Sequence, residues 1–486
     1  MMVFSQRLSK QIILLSTIVL VNACAEPATK YAPDSKAHDT DITDERPNVV
    51  FVLVDDLGYG QLGVTGQQHI KTPNINALAN SGAAFTQAYS GGPVCSPSRI
   101  SLLTGLDGRG LHTNSNAIKL KSNNQTFAQV LQKAGYDTNL IGKFGVGKEI
   151  GVNDPLYMGF NNWYGIMENI PAHRQYPSSI YINNKQVAVP ENENGKKGKY
   201  AQEMWTAKAE EYLRQEHIKP FFLFLSYTSP HAELAAPKAF YQQYKDKFEE
   251  TPYVGQADGK VDHYFEHFYP DPVEQPNATM AAMISALDSY VGRLVAVLKT
   301  QGLLDNTMII FTSDNGVHAE GGFDPSYFES SKPYRGIKRD LTDGGIHVPF
   351  IVRWDSKLAP NTLVDVPIAF ADMLPTFAEM AGVEDLVNTA AINGQSVYPL
   401  LTGEATSMPD RLMYWEFVRQ LGLDTTASVT QAIRKGDFKA VRYGADAKMG
   451  LYKITEDQSE SKDLTDSYPE LAKEYLTFFD KQLTSQ

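Results

Sequence analysis

Cysteine is nearly missing from this chain. Two residues, Cys24 and Cys95, stand among 486, so a disulfide framework is not what holds the fold. Membrane-spanning apolar runs are also missing at the N-terminus, where the run at 12–21 is too short to cross a bilayer. Excess positive charge is absent too. A formal net charge of -12 argues against a general nucleic-acid surface, so an anionic ligand would need a local cluster of positive charge. Internal repeats and low-complexity blocks are not found. What remains is ordinary for a soluble globular chain, with 42% hydrophobic and 21% charged residues.

The first residues read as an export leader. Arg7 and Lys10 precede the apolar run, and Ala23-Cys24-Ala25 follows at a small-residue cleavage region. Val21-Asn22-Ala23-Cys24 resembles a bacterial lipobox, which makes Cys24 a lipid-anchor site; cleavage after Ala23 or Ala25 is the alternative. The expected organisation is a signal peptide at 1–23, a flexible tether at 24–46, a catalytic domain at 47–401 and a C-terminal subdomain at 402–486. The expected location is outside the cytoplasm, periplasmic or lipid-anchored in the outer membrane. Cys95 is then the one thiol in the mature body, either buried and inert or chemically special.

Beyond residue 46 the pattern is α/β. The continuous apolar run at 49–54 reads as a strand buried on both faces and ends in Asp55-Asp56. "TFAQVLQKAG" reads as a helix stopped by Gly135, "YDTNLIG" as a strand with Lys143 directly after it, and "PFFLFLSY" as a strand leading towards His231. A long helix from 278 leads into "TMIIFTSDNG". Such alternation predicts a mainly parallel sheet flanked by helices. Ligands bind beyond the C-terminal ends of such strands. Asp55, Asp56, Lys143, His231, Asp314 and Asn315 all fall there, so they are expected to converge. Past Leu401, short strands and a closing helix at 468–483 predict a small antiparallel appendage.

Asp55, Asp56, Asp314 and Asn315 offer hard oxygen ligands, which suit Ca²⁺ or Mg²⁺ better than zinc. Cys95-Ser96-Pro97-Ser98-Arg99 resembles the C-x-P-S-R signature of the type I sulfatases, whose cysteine is oxidised by a maturation enzyme to the aldehyde formylglycine. "NVVFVLVDDLGYGQLG", "SYTSPH", "FTSDNG" and "PYRGIKRDLTDGGIHVPFIVRW" match further segments of that family in order, as do the weaker "FADMLPTFAEMAG" and "INGQSVYPLLTGE". The resemblance implies an alkaline-phosphatase-like fold, formylglycine at position 95 and one Ca²⁺ held by Asp55, Asp56, Cys95, Asp314 and Asn315. It also implies that Arg99 stabilises the modified residue, Lys143 and Lys338 hold sulfate oxygens, and His231 both contacts sulfate and protonates the leaving alkoxide. In that chemistry the hydrated aldehyde attacks sulfur through one hydroxyl, and loss of the second hydroxyl's proton re-forms the aldehyde and expels sulfate.

One departure stands out. The family often reads G-K-W-H-x-G after the lysine, whereas "GKFGVG" places Gly145 where the imidazole would be. His173, in "ENIPAHRQYP", is the expected replacement, and His318 competes for the role. The expected substrate is a sulfated carbohydrate met after export, with Tyr59, Trp163, Tyr164 and Tyr176 as cleft-lining aromatics and Arg335, Lys338 and Arg339 gathered near the sulfate. Two alternatives stay open: a formylglycine-dependent phosphoester or phosphonate-ester hydrolase, and a non-catalytic protein that binds sulfated glycans.

Overall fold

The first apolar run forms strand β1 (Asn48–Asp55), buried along its whole length. Alternate residues point to opposite faces, so Val50, Val52 and Val54 enter one hydrophobic cluster while Val49, Phe51 and Leu53 enter another. Strands β2 (Asp137–Gly145), β3 (Asn162–Glu168), β4 (Phe221–Pro230) and β5 (Thr307–Ser313) join it in a parallel array ordered β5-β1-β4-β2-β3. The register sets Val50 beside Leu223 on β4 and Ile309 on β5. Burial on both faces is why these strands read as unbroken apolar runs. Short strands on both flanks, mostly antiparallel, extend the sheet to ten.

This is a computed structural model, and it describes residues 46–111, 117–255, 269, 271–419 and 428–484. The expected leader, Cys24 and the tether up to residue 45 lie outside them.

Helices cover both faces. Helix α1 (Cys95–Thr104) and α2 (Phe127–Lys133) pack into one cluster, α3 (Ala201–Leu213) and α4 (Pro276–Thr300) into the other. Thr126 caps α2 and accepts from the amide of Gln129, and Gly135 beyond its end sits at φ +91, as a helix stop requires. Helix α4 is long and apolar enough to cross a membrane, but 72% of its most apolar stretch is buried, which makes it a core helix. The expected strand at 136–142 runs on to Gly145, so Lys143 lies inside β2 rather than after it. Strand pairing with β3 continues through Lys143, opposite Ile166.

The C-terminal residues form a four-stranded antiparallel sheet: β6 (Met413–Arg419), β7 (Ser428–Lys435), β8 (Phe438–Tyr443) and β9 (Met449–Lys453). Its faces share cores with both flanks. Trp415, Ala432 and Val441 pack with Tyr89, Val94, Leu341 and Ile346, while Ile433 and Leu451 pack with Tyr475 and Phe479 of the closing helix Pro469–Thr484.

Candidate active site

Two parallel strands end side by side and turn their carboxylates inward. Asp56, just past β1, holds φ +64, a left-handed conformation that aspartate tolerates better than most residues but which still carries strain. Its amide donates to Asp314 Oδ1 at 3.2 Å, and Asp314 itself is pinned by its amide on Val54 O at 3.0 Å. At Gly316 a Cβ would stand 2.0 Å from Gly344 O, so only glycine lets the short helix α5 (Asp343–Ile346) close against this turn. Helix α1 begins at Cys95 itself, and Ser98 Oγ donates to Asp314 O at 2.5 Å. The thiol thus lies at a buried helix N-terminus, whose unpaired amides and dipole favour negative charge.

The expected residues come together. Cys95 Sγ lies 3.1 Å from Asp55 Oδ1 and 3.8 Å from Asp56 Oδ1. Lys143 Nζ pairs with Asp55 and stands 3.5 Å from His173 Nε2. Lys338 Nζ pairs with Asp56 Oδ2 at 2.6 Å and stands 2.9 Å from His231 Nε2. Arg99 is locked by Asp314 Oδ2 at 2.8 Å, Ser226 Oγ at 2.6 Å and Lys143 O at 3.1 Å. It serves this centre as a brace between strand ends. Asn315 Nδ2 donates to Asp56 Oδ1 at 2.6 Å.

Gly145 explains the missing imidazole. Its φ is +81, and a Cβ there would meet Arg99 Cδ and Lys143 Cε at 3.2 Å each. His173 reaches the same lysine from another strand connection, 3.5 Å from Lys143 Nζ, and is stacked on His231 with ring centroids 3.8 Å apart. His318 is occupied elsewhere: Nε2 faces Pro230 O at 3.1 Å and Nδ1 accepts the Glu320 amide at 2.9 Å. With both nitrogens on backbone it is a structural residue.

Burial controls the protonation states. It pushes the Cys95 thiol well up, and the Asp314 and Asp55 carboxylates add to this, so an unmodified Cys95 is a poor nucleophile. Burial holds His173 and His231 well below the usual imidazole range, with the His231 ring and Lys338 respectively as the next causes. Asp314 is pushed up to about 7 by burial and then by Asp55. Against the cost of burial, Lys143 holds Asp55 low, and Lys338 and Arg339 hold Glu320 low.

A divalent cation fits this donor set. Asp55, Asp56 and Cys95 offer ligand atoms within 4.8 Å of one another, together with His231, and Asn315 Oδ1 is buried with no hydrogen-bond partner. Such an orphaned acceptor beside three carboxylates is what an oxygen-ligated cation would satisfy. The carboxylates of Asp55, Asp56, Asp314 and Glu320 are matched by Arg99, Lys143, Lys338 and Arg339. A bound cation would therefore tip the balance towards an anionic ligand.

Two neighbours were not foreseen. Tyr269 OH lies 3.2 Å from His173 Nδ1 and donates to Glu320 Oε2 at 3.0 Å. Glu320 binds Arg339 Nη2 at 2.5 Å and stands 3.8 Å from His231 Nε2. Glu320 follows the Asp314 turn in the chain and was findable on that ground, whereas nothing in the pattern around Tyr269 marks it. Some expectations are corrected. Arg335 is exposed and lies over the Tyr452 ring at 5.4 Å, away from Lys338. Trp163 and Tyr164 pack near the start of β3, Trp163 stacked on Tyr181 and Tyr164 edge-on to Trp205, because β3 carries them into the core. Tyr59 and Tyr176 are half-buried against Tyr334 and Tyr200.

Comparison with known proteins agrees with this layout. The family described as "Sulfatase" matches residues 47–383, and "N-sulphoglucosamine sulphohydrolase, C-terminal" matches 337–484. The chain is similar to the N-acetylgalactosamine-6-O-sulfatase of Bacteroides thetaiotaomicron, with 24% identity over 96% of this chain and 98% of that one. It is also similar to human steryl-sulfatase, with 27% identity over 74% of this chain and 70% of that one. Among solved structures, Ps i-CgsB in complex with k-i-k-neocarrahexaose superposes with a TM-score of 0.72 at 25% identity, covering 90% of this chain and 92% of that one.

Proposed function

The chain belongs to the sulfatase family and is a sulfuric ester hydrolase, and on that premise we propose that it removes sulfate from carbohydrates with formylglycine at position 95 and a bound Ca²⁺. The observation that carries this is the meeting of Cys95 with three buried carboxylates on one side and Lys143, Lys338 and His231 on the other. Relatives act on sugar and steroid sulfates alike by name, so the substrate class is argued from the site. The groups beyond His231 are Tyr269, Glu320 and Arg339, a polar set that suits a hydroxylated leaving group rather than an apolar one.

Asp55, Asp56, Asp314 and Asn315 would hold the cation, which with the oxidised Cys95 supplies an acidified hydroxyl nucleophile when both are in place. Lys143 and Lys338 bind the sulfate oxygens and stabilise charge that develops there. His231 Nε2 delivers a proton to the leaving oxygen, and His173 Nε2, beside Lys143, takes one from the residue at position 95. Arg99 keeps Asp314, Lys143 and Ser226 in register. The expected export would bring the enzyme to external sulfated polymers, after a maturation enzyme has acted on Cys95.

Peptide mass mapping of active protein should show the aldehyde at Cys95, and sulfate should be released from a panel of sulfated glycans. Full activity with an unmodified thiol would overturn the nucleophile. Turnover of aryl or steryl sulfates with no glycan in the panel would overturn the substrate class.

A further inference from the structure

Neither cation binding nor sulfate binding accounts for Glu320. Its Oε1 stands 3.7 Å from Lys338 Nζ and its Oε2 3.8 Å from His231 Nε2. An ester whose sulfate lies on Lys338 and whose leaving oxygen lies at His231 Nε2 therefore has a fixed carboxylate beside it. A carboxylate next to an anion is repulsive unless the ligand gives something back. The sulfated oxygen has no proton to give. A hydroxyl on the neighbouring sugar carbon has one, and it lies about one hydrogen-bond length from the leaving oxygen, within reach of Glu320. Hydroxyl-to-carboxylate bonds are among the stronger hydrogen bonds.

The carboxylate is held for such a task. Arg339 Nη2 pairs with Oε1 at 2.5 Å, Tyr269 OH donates to Oε2 at 3.0 Å, and the Glu320 amide is fixed on His318 Nδ1 at 2.9 Å. Arg339 reaches this position with φ +82, a left-handed backbone that arginine rarely adopts and that is found mainly where surrounding structure enforces it. Glu320 is 9% exposed by side chain and Arg339 19%, whereas Asp55, Asp56 and His231 are sealed. This pair thus lies on the side of the site closest to solvent, where the sugar attached to the sulfate must enter.

Resting on the carbohydrate reading above, we infer that Glu320, set by Arg339 and Tyr269, accepts a hydrogen bond from the sugar hydroxyl next to the sulfate ester. The enzyme then takes sugars whose neighbouring position carries a free hydroxyl and rejects those in which it is missing or itself sulfated. A missing hydroxyl leaves this carboxylate one hydrogen bond short, and a second sulfate sets two anions together.

The test compares three substrates: a monosulfated sugar with a free neighbouring hydroxyl, its deoxy analogue at that position, and 4-nitrophenyl sulfate. For the natural enzyme, kcat/KM should favour the hydroxylated sugar over the deoxy one by about a hundredfold or more, as sites built around a substrate hydroxyl do. Glu320→Gln should bring that ratio close to one, mainly by loss on the hydroxylated sugar, and should cost far less on 4-nitrophenyl sulfate. The double variant Glu320→Gln/Arg339→Gln removes both charges together and reads the same ratio if the single variant melts early. A ratio kept at its natural value in either variant overturns the inference, as does an equal loss on all three substrates. Natural enzyme that cleaves 4-nitrophenyl sulfate and neither sugar overturns the carbohydrate reading and this inference together, so the two failures are told apart.

Discussion

Three histidines stand in a row here, and their neighbours divide the work among them. His318 spends both nitrogens on backbone, His231 faces Lys338 and Asp56, and His173 faces Lys143. The sequence offered His173 as the substitute for the imidazole missing at Gly145, with His318 as a competitor; hydrogen bonding separates them. The two remaining rings should fail differently when removed. His231→Ala is expected to lose about 10² or more in turnover of a sugar sulfate and to recover most of it with 4-nitrophenyl sulfate, whose leaving group needs little protonation. His173→Ala is expected to stay slow with both substrates and to show a burst of nitrophenol followed by slow turnover in rapid-quench experiments. Absence of that burst, with only weaker sugar binding, would make His173 a substrate contact instead.

Among the elements, α5 has an importance out of proportion to its four residues. Its backbone closes on the Asp314 turn through Gly316 N to Gly345 O at 2.9 Å, and the segment leading to it carries Lys338, whose amide binds Val317 O at 2.8 Å. Asp343 at its start binds Lys439 Nζ of β8 at 2.5 Å and Tyr89 OH at 2.9 Å, and its amide donates to Glu460 Oε2 at 2.7 Å. Lys439 also meets Glu460 Oε1 at 3.0 Å. The antiparallel sheet therefore anchors the segment that presents Lys338, the lysine proposed to bind sulfate. One buried lysine serves two carboxylates, and breaking such a set is costly. Burial pushes Glu460 up to about 7 from 4.5, while Lys439 holds Asp343 low against burial. Between those two values the folded protein binds the Glu460 proton more tightly than the unfolded chain does, so this group's contribution is full below pH 4.5 and is lost as pH rises through about 7. Glu460→Gln should remove that decline, up to about 3 kcal/mol, as measured by urea unfolding of Ca²⁺-saturated protein at pH 5 and 7.5. Parallel pH profiles for variant and natural protein would show that Glu460 does not titrate in this window.

The whole molecule carries a net charge of -12 and yet must bind an anion. The centre escapes the global field by pairing each buried carboxylate with a buried cation, so that a divalent ion leaves local positive charge. A ligand that binds only the folded state stabilises it, by about 2.7 kcal/mol at a hundredfold excess over Kd. Adding Ca²⁺ to chelator-treated protein should therefore raise Tm by a few degrees, and Asp314→Ala should abolish the rise. A Tm indifferent to both Ca²⁺ and Mg²⁺ would overturn the oxygen-ligand assignment without reference to activity.

Much of this centre was legible in the chain because its residues are tied to local signals. Asp55, Asp56, Asp314 and Asn315 end buried apolar runs, Cys95 opens a helix, and a parallel sheet gathers strand ends on one edge. Periodicity records how one element is buried, so it recovers the strands and helices even where Lys143 proved to lie inside β2. It cannot record which loops touch. Tyr269 meets His173 across 96 positions of chain, and Asp343 meets Lys439 across another 96. Glu320 finds Arg339 within the one long connection from β5 to α5. Those contacts depend on how packed elements aim their connecting segments in space, and no repeat in the sequence encodes that direction.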